Sequence, residues 1–266
     1  MSSTTPQTAR PVVLSLQDVS KRFGAVQALR GVSVECLAGE IHAVVGENGS
    51  GKSTLLKLVA GITPPTRGTL AVAGRISALI ELGAGFHPEI SGRENVAING
   101  IMLGLTRREL SERFDEIVDF AEMREFIDAP VKTYSSGMYM RLGFAVAIHV
   151  DPDVLLIDEV LAVGDEGFTR KCLDKIGEFR RRGKTILLVT HSLAEAVFLS
   201  DRIAVMSGRP GRIRETIEVP AGHPRTPDFM TSAAFHELRD YLFRLLHDEM
   251  RASVLRQDRA LARDRA

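Results

Sequence analysis

The stretch Gly46–Ser53, which reads Gly-Glu-Asn-Gly-Ser-Gly-Lys-Ser, constrains the fold of this chain more than any other segment. It follows the apolar, β-branched run Ile41–Val45 and precedes the apolar stretch Thr54–Ala60, which favours a helix. The spacing G-x-x-x-x-G-K-S/T between a strand and a helix is typical of a phosphate-binding loop, because its glycines let successive backbone N–H groups approach phosphate oxygens. The pattern predicts an α/β fold in which this loop joins a strand to a helix.

The same loop predicts a site for ATP and Mg²⁺. Lys52 is expected to reach the β- and γ-phosphates, and the Ser53 hydroxyl is expected to bind Mg²⁺. The helix that follows adds the positive end of its dipole. The alternative is a glycine-rich turn that matches the spacing by chance, and the flanking strand and helix argue against it. The residues predicted to hold the phosphates are Gly46, Glu47, Asn48, Gly49, Ser50, Gly51, Lys52, Ser53 and Thr54.

Two adjacent acids follow another apolar run. Asp158 and Glu159 come directly after Val154–Ile157, so the strand places Asp158 at the carboxyl edge of the sheet, beside the phosphate loop. Asp158 is predicted to hold Mg²⁺, directly or through water, and Glu159 to polarise the attacking water as general base. An isolated pair of this kind would be a solvated strand end.

The rest of the chain fits one large α/β domain with an appendage. Short strands are predicted at 12–16 and 31–34, buried strands of a parallel sheet at 154–157 and 185–189, and a further strand at 202–206. Residues 86–150 are predicted to be helical, with a capping box from Thr106 to Glu109. We expect a disordered tail at 1–11, an ATPase domain at 12–215 and an extension at 216–266. A helix is predicted in this extension from Phe235 to Met250, with Leu238, Leu242, Leu245 and Leu246 on one face.

Composition limits the partners and the compartment. The 34 Lys and Arg residues balance 34 Asp and Glu residues, so no overall charge points to nucleic acid. No apolar run approaches the about 18–20 residues needed to span a bilayer, and the N-terminus lacks the apolar stretch of a secretory signal. The two cysteines, Cys36 and Cys172, suit a reducing compartment. We therefore expect a cytoplasmic protein without a membrane span of its own.

The segment Tyr134–Arg141 resembles the signature of the ABC transporter ATPases, which usually reads Leu-Ser-Gly-Gly-Gln with an Arg nearby. It keeps the serine and the second glycine, as Ser135 and Gly137, and lies a short helix upstream of Asp158. A plain helix N-cap would explain Ser135 equally well. The resemblance implies an ABC fold with a mixed sheet, an antiparallel β subdomain and an inserted helical subdomain. It also implies a homodimer, because in this family the signature caps ATP that is bound by the other subunit.

Four further site residues follow from this resemblance. Asp165 looks like the residue of the loop that crosses the dimer interface, and His191 looks like the switch histidine that contacts the γ-phosphate. Phe23 lies where an aromatic side chain stacks on adenine, and Glu81 takes the place of a glutamine near Mg²⁺ and the attacking water. The alternatives are a structural or exposed histidine at His191 and an ordinary core or edge aromatic at Phe23.

Two segments suggest different transport directions. Residues 76–95 are similar to the ATPases that export polysaccharides such as O-antigen or teichoic acid, whereas residues 205–213 resemble nitrate, sulfonate and taurine importer ATPases. We give more weight to 76–95, and we expect 205–213 to lie outside the ATP machinery. The export interpretation implies an integral membrane permease as partner and a location at the inner face of the membrane. A soluble ABC ATPase without a transport role is the remaining alternative.

Overall fold

The structure is a computed structural model, and it describes residues 10–79, 85–158 and 165–247. Its strands are β1 (Val12–Phe23), β2 (Val26–Leu37), β3 (Ile41–Gly46), β4 (Arg67–Val72), β5 (Ile76–Leu79), β6 (Val154–Asp158), β7 (Thr185–Thr190), β8 (Arg202–Met206) and β9 (Ile213–Glu218). Its helices are α1 (Lys52–Val59), α2 (Gly92–Met102), α3 (Arg107–Ala121), α4 (Ser136–His149), α5 (Glu166–Arg181), α6 (Leu193–Leu199) and α7 (residues 233–247). Short 3₁₀ turns lie at Val131–Thr133 and Pro227–Thr231.

Two sheets organise the fold. Six strands form a mixed sheet in the order β5-β6-β7-β3-β8-β9, in which β9 alone runs antiparallel to its neighbour. Three strands form an antiparallel sheet in the order β2-β1-β4. The mixed sheet and the separate antiparallel sheet confirm the fold class expected from the sequence.

The central strands are apolar throughout because both of their faces are covered. Alternate residues of β6 and β7 point to opposite sides, as the period of a strand requires. Leu156 and Leu187 pack with α1 and the antiparallel sheet, whereas Leu155 and Ile186 pack with α4 and α5. Each fully buried Leu or Ile contributes about 1.5–3 kcal/mol to stability, so these strands form a rigid base for the loops at their ends.

A separate helical unit is formed by α2, α3 and α4 around an apolar cluster that includes Val96, Ile117 and Val146. Thr106 and Glu109 form the capping box predicted at the start of α3. A second capping box, between Ser91 and Glu94, starts α2. Because these boxes satisfy backbone N–H groups at both helix N-termini, they fix where each helix begins.

The C-terminal helix packs onto the face of the mixed sheet opposite α1. Phe235 and Leu242 of α7 are buried together with Ala196 and Val197 of α6 and with residues of β3. The apolar face predicted for this helix is therefore correct, although the helix begins at residue 233 and its predicted end, 248–250, lies outside the described residues. In the part of the chain described here, no helix is both long and apolar enough to cross a membrane.

Candidate functional site

The phosphate loop leaves the carboxyl end of β3, in the middle of the mixed sheet, and leads into α1. Gly49 and Gly51 have φ values of +80° and +97°, a region that side chains other than glycine disfavour. A Cβ atom on Gly51 would also lie 2.6 Å from Cδ2 of Leu29. Glycine is therefore required at Gly51 both by the backbone conformation and by the close approach of β2.

Lys52 is the first residue of α1 and is buried, with 6% of its surface exposed. Its Nζ donates to the carbonyl oxygens of Gly46, at 2.5 Å, and Glu47, at 2.9 Å. The ammonium group thus lies inside the loop and not in solvent. A buried cation enclosed by backbone at a helix N-terminus is an arrangement that attracts phosphate groups.

One polar atom of the loop supports a phosphate ligand. Ser50 is 1% exposed, and its hydroxyl oxygen has no hydrogen-bond partner within the described residues. Leaving a buried hydroxyl unsatisfied costs about 1–3 kcal/mol. The helix N-terminus, the buried Lys52 and this unsatisfied hydroxyl together fit a loop shaped for an anionic ligand.

Asp158 ends β6 at the same edge of the sheet, with β7 between β6 and β3. Its side chain and Ser53 line one cleft of about 440 Å³. Hydroxyl and carboxylate oxygens are ligands that Mg²⁺ prefers, so Ser53 and Asp158 fit the ion expected from the sequence. The cleft is lined by Phe23, Val26, Ala28, Asn48, Gly49, Gly51, Lys52, Ser53, Thr54, Asp158 and Arg209.

Phe23 lies at the end of β1, with 53% of its surface exposed, and lines this cleft. It is therefore not a core aromatic, and the Lys21 ammonium lies over its ring, 4.9 Å from the centroid. Glu159, the predicted general base, and Glu81, the predicted Mg²⁺ and water residue, both lie outside the described residues.

His191 follows β7 directly and is exposed. Because β7 is parallel to β3 and next to it, His191 lies at the edge of the sheet that carries the phosphate loop. Within the described part of the chain it does not line the cleft itself. The structure therefore places His191 near the nucleotide site without bringing it into the cleft.

The signature segment lies at the start of α4. Ser135 is the N-cap, and its hydroxyl accepts a hydrogen bond from the Met138 N–H at 3.2 Å. Ser135 is exposed and Gly137 is half-buried, and neither lines the cleft of this chain. Both residues are thus available to a neighbouring molecule, while the simple capping role of Ser135 is present as well.

Asp165 is held in place by α4 and α5. Its carboxylate caps α5 by accepting from the Phe168 N–H at 2.9 Å, and it also accepts from the Arg141 guanidinium. The pKa of Asp165 lies below its usual value because of the hydrogen bond from Phe168 and the nearby charge of Arg141. Arg141 also donates to Glu122 at 2.8 Å, so the signature helix and Asp165 are connected through ionic contacts.

The expectation that residues 205–213 lie outside the ATP machinery is wrong. Arg209, in the loop between β8 and β9, lines the cleft, and its Nε donates to the carbonyl oxygen of Gly49 at 3.0 Å. The sequence carries no signal for this contact, because it depends on β8 lying parallel and adjacent to β3, which brings the loop after β8 to the edge of the sheet that binds ligands.

A central strand, a phosphate loop with an enclosed lysine, and an aspartate at the end of a nearby parallel strand define the site of a P-loop nucleotide-binding ATPase. Two solved structures share this fold. An ATP-binding subunit of an ABC transporter matches 87% of this chain and 99% of its own, with a TM-score of 0.73 and 23% identity. A dimeric ATP-binding cassette in a post-hydrolysis state, bound to ADP and Pi, matches 79% of this chain and 100% of its own, with a TM-score of 0.67 and 22% identity.

The sequence profile of the ABC transporter family matches residues 29–162. The O-antigen export system ATP-binding protein of Myxococcus xanthus is 58% identical over 189 residues, which are 71% of this chain and 43% of that protein. A protein of the same description from Klebsiella pneumoniae is 48% identical over 188 residues, 71% of this chain and 76% of its own length. The teichoic acids export ATP-binding protein of Bacillus anthracis is 50% identical over 168 residues, 63% of this chain and 30% of that protein. This chain belongs to the ABC transporter family.

Proposed function

We propose that this chain is the ATP-binding and hydrolysing subunit that powers export of a polysaccharide or lipid-linked glycan through a separate membrane permease. The cleft that combines Lys52, Ser53 and Asp158 supports the ATPase activity. The identity to O-antigen and teichoic acid export proteins supports the class of cargo. These relatives favour export, and the importer-like resemblance of residues 205–213 gains no support from them.

The residues that line the cleft suggest separate roles in binding phosphate and Mg²⁺. Lys52 and the backbone N–H groups of the phosphate loop bind and orient the phosphates, which lowers the cost of bringing negative charge into the site. Ser53 and Asp158 would hold Mg²⁺, which supplies positive charge at the phosphate oxygens when bound. The resemblance to the family, and not the cleft, assigns two further roles: Glu159 would accept a proton from the attacking water, and His191 would contact the terminal phosphate.

A second copy of the chain would complete each site. Ser135 and Gly137 would cap the nucleotide bound by the partner copy, and Asp165 would lie at the interface between the two copies. Their position away from the cleft of their own chain supports this assignment. In this arrangement ATP closes the dimer and hydrolysis opens it. The permease, bound at the inner face of the membrane, converts this cycle into movement of the glycan.

Hydrolysis by the purified chain tests the ATPase assignment. Lys52→Ala should weaken ATP binding, because it removes the charge enclosed by the loop. Glu159→Gln should bind ATP normally, accumulate as an ATP-bound dimer and turn over on the order of 10²-fold more slowly, as expected for loss of a general base. Lys132→Ala is the matched control, since Lys132 pairs with Glu89 at an exposed site. Normal phosphate release by Glu159→Gln would place the base elsewhere.

A deletion strain tests the cargo. Lipid-linked glycan should accumulate inside the cell and be missing from its surface, while growth on nitrate or sulfonates stays normal. The opposite result, normal surface glycan with failed nitrate or sulfonate uptake, would overturn export in favour of import. Affinity purification of the chain from solubilised membranes tests the alternative of a soluble ABC ATPase without a transport role. Such an ATPase would not co-purify with a permease.

A further inference from the structure

The loop between β8 and β9 supplies a second cation to the nucleotide cleft. Arg209 is exposed, and its guanidinium lies over the α-carbon of Gly49. A Cβ atom on Gly49 would lie 3.1 Å from Nη2 and 3.2 Å from Nε of Arg209. The arginine therefore sits directly on the phosphate loop and not at its periphery.

The backbone around Arg209 is held on both sides. Gly211 donates to the carbonyl oxygen of Ala28 at 2.8 Å and accepts from the Arg30 N–H at 2.9 Å, which ties the loop to β2. Within the loop, Ser207 donates to the carbonyl oxygen of Arg212 at 2.9 Å. These bonds restrict the loop, so the guanidinium is presented to the cleft by a fixed backbone.

The hydrogen-bonding capacity of Arg209 exceeds what the loop uses. A guanidinium carries five N–H donors in a planar fork that matches phosphate oxygens. In the described part of the chain, its hydrogen bonding consists of the single contact from Nε to Gly49. The terminal nitrogens have donors left for a ligand in the cleft. Lys52, the other cation that lines the cleft, already donates to two loop carbonyls.

We propose that Arg209 binds a phosphate oxygen of the nucleotide through its terminal nitrogens while its Nε continues to donate to the carbonyl oxygen of Gly49. This proposal rests on the proposed function, since it requires that the cleft binds a nucleoside triphosphate. Arg209 then acts beside Lys52 as a phosphate-binding residue that the sequence motif does not contain.

The substitution Arg209→Gln separates the two contacts. The side-chain amide nitrogen of glutamine occupies the position of the arginine Nε, so it can keep the bond to Gly49, but it lacks the charge and the terminal nitrogens. Binding is measured by displacement of a fluorescent ATP analogue with ATP and with adenosine. Arg209→Gln should weaken ATP binding roughly tenfold or more, as expected for a hydrogen bond between charged groups, and leave adenosine unchanged. Arg209→Lys should recover part of the ATP affinity because it restores the charge.

The control is Arg212→Gln, an exposed arginine of the same loop that does not line the cleft. It should bind ATP like the unmodified chain. Normal ATP binding by Arg209→Gln would contradict the phosphate contact and leave Arg209 with only its bond to the loop. An equal loss of affinity for ATP and for adenosine would also contradict it, because the arginine would then act on the nucleoside part of the ligand. Failure of the unmodified chain to bind ATP would instead contradict the proposed function itself.

Discussion

Gly211 faces the carbonyl oxygen of Ser50 so closely that a Cβ atom on Gly211 would lie 2.0 Å from that oxygen. Ser50 belongs to the phosphate loop, whereas Gly211 lies about 160 residues further along the chain, after β8. The two residues meet because β8 is the parallel neighbour of β3. The shape of the phosphate loop thus depends on a glycine outside its motif.

Gly211→Ala should therefore weaken ATP binding. The added methyl group meets the backbone oxygen of Ser50 and side-chain atoms of Met206 and Leu29, so the phosphate loop has to shift. A small displacement in such a site should weaken ATP binding roughly tenfold or more. The measurement is titration with a fluorescent ATP analogue. Gly222→Ala is the matched control, since a Cβ atom there meets nothing within 4 Å. Equal affinities for the two variants would show that the loop absorbs the methyl group.

Substitutions of Glu81 test whether this residue lies near Mg²⁺ and the attacking water. If it takes the place of the usual glutamine, Glu81→Gln should keep ATPase activity, because the amide oxygen still binds the ion or the water. Glu81→Ala should lose activity, since no oxygen remains. Phosphate release by the two variants is compared with that of the unmodified chain. Full activity in the alanine variant would assign the position to another residue.

Glu40 joins β3 to β8 through a buried ion pair. It is 2% exposed, and Arg202 donates to its two oxygens at 2.7 and 3.0 Å. Burial alone would raise the pKa of Glu40, but the hydrogen bonds from His42, Arg202 and the Leu37 N–H together hold it below its usual value. The folded state therefore favours the ionised carboxylate.

Glu40→Gln should lower the free energy of unfolding at pH 7 by about 1.5–3 kcal/mol, because the half-buried Arg202 loses its charged partner and keeps, among the described residues, only the carbonyl oxygen of Glu35. The contribution of Glu40 is present above its unfolded pKa of about 4.3 and is lost as the pH falls through the lower folded value. Urea unfolding between pH 7 and pH 3 should show a shallower acid decline in the variant. Glu89→Gln, at an exposed pair, serves as control, and an identical decline in both variants would contradict the assignment.

His223 should make the protein less stable in mild acid. Burial, with the nearby charges of Arg225 and Arg180, lowers the pKa of His223 to about 4. The unfolded histidine, with a pKa of about 6.5, takes up a proton first, so stability falls as the pH drops from about 6.5 towards 4. His223→Gln should remove this part of the pH dependence in urea unfolding. His236→Gln, at an exposed histidine, should retain it.

The sequence predicted the features that depend on neighbouring residues. The strand, loop and helix around Lys52 and the position of Asp158 follow from continuous apolar runs and the chemistry of the residues that end them. The capping box at Thr106 is equally local. The edge strands β4, β5 and β9 were missed because partly polar edge strands lack a clear apolar pattern. Strands β1 and β2 are longer than predicted because buried and exposed residues are mixed along both of them.

Contacts between distant segments could not be predicted in the same way. The role of Arg209 depends on which strand lies beside β3, and no residue near Arg209 in the sequence indicates that neighbour. The same holds for Arg225, whose Nη1 binds the carbonyl oxygens of Val197, Phe198 and Ser200 at the end of α6. Spacing along the chain does not contain this information, because it arises from the order of strands in the sheet.

The strand order also has a mechanical consequence. The segment from His191 through α6 and β8 to Arg209 starts and ends at the edge of the sheet that carries the phosphate loop, because His191 follows β7 and Arg209 follows β8. Arg225 binds the end of α6, and α7 packs against α6 through Phe235. A displacement of the phosphate loop that moves the His191 end of this segment would therefore reach α6 at its N-terminal end, and α7 would follow through its contact with α6. The C-terminal helix would then transmit nucleotide occupancy to a surface on the opposite face of the sheet from α1.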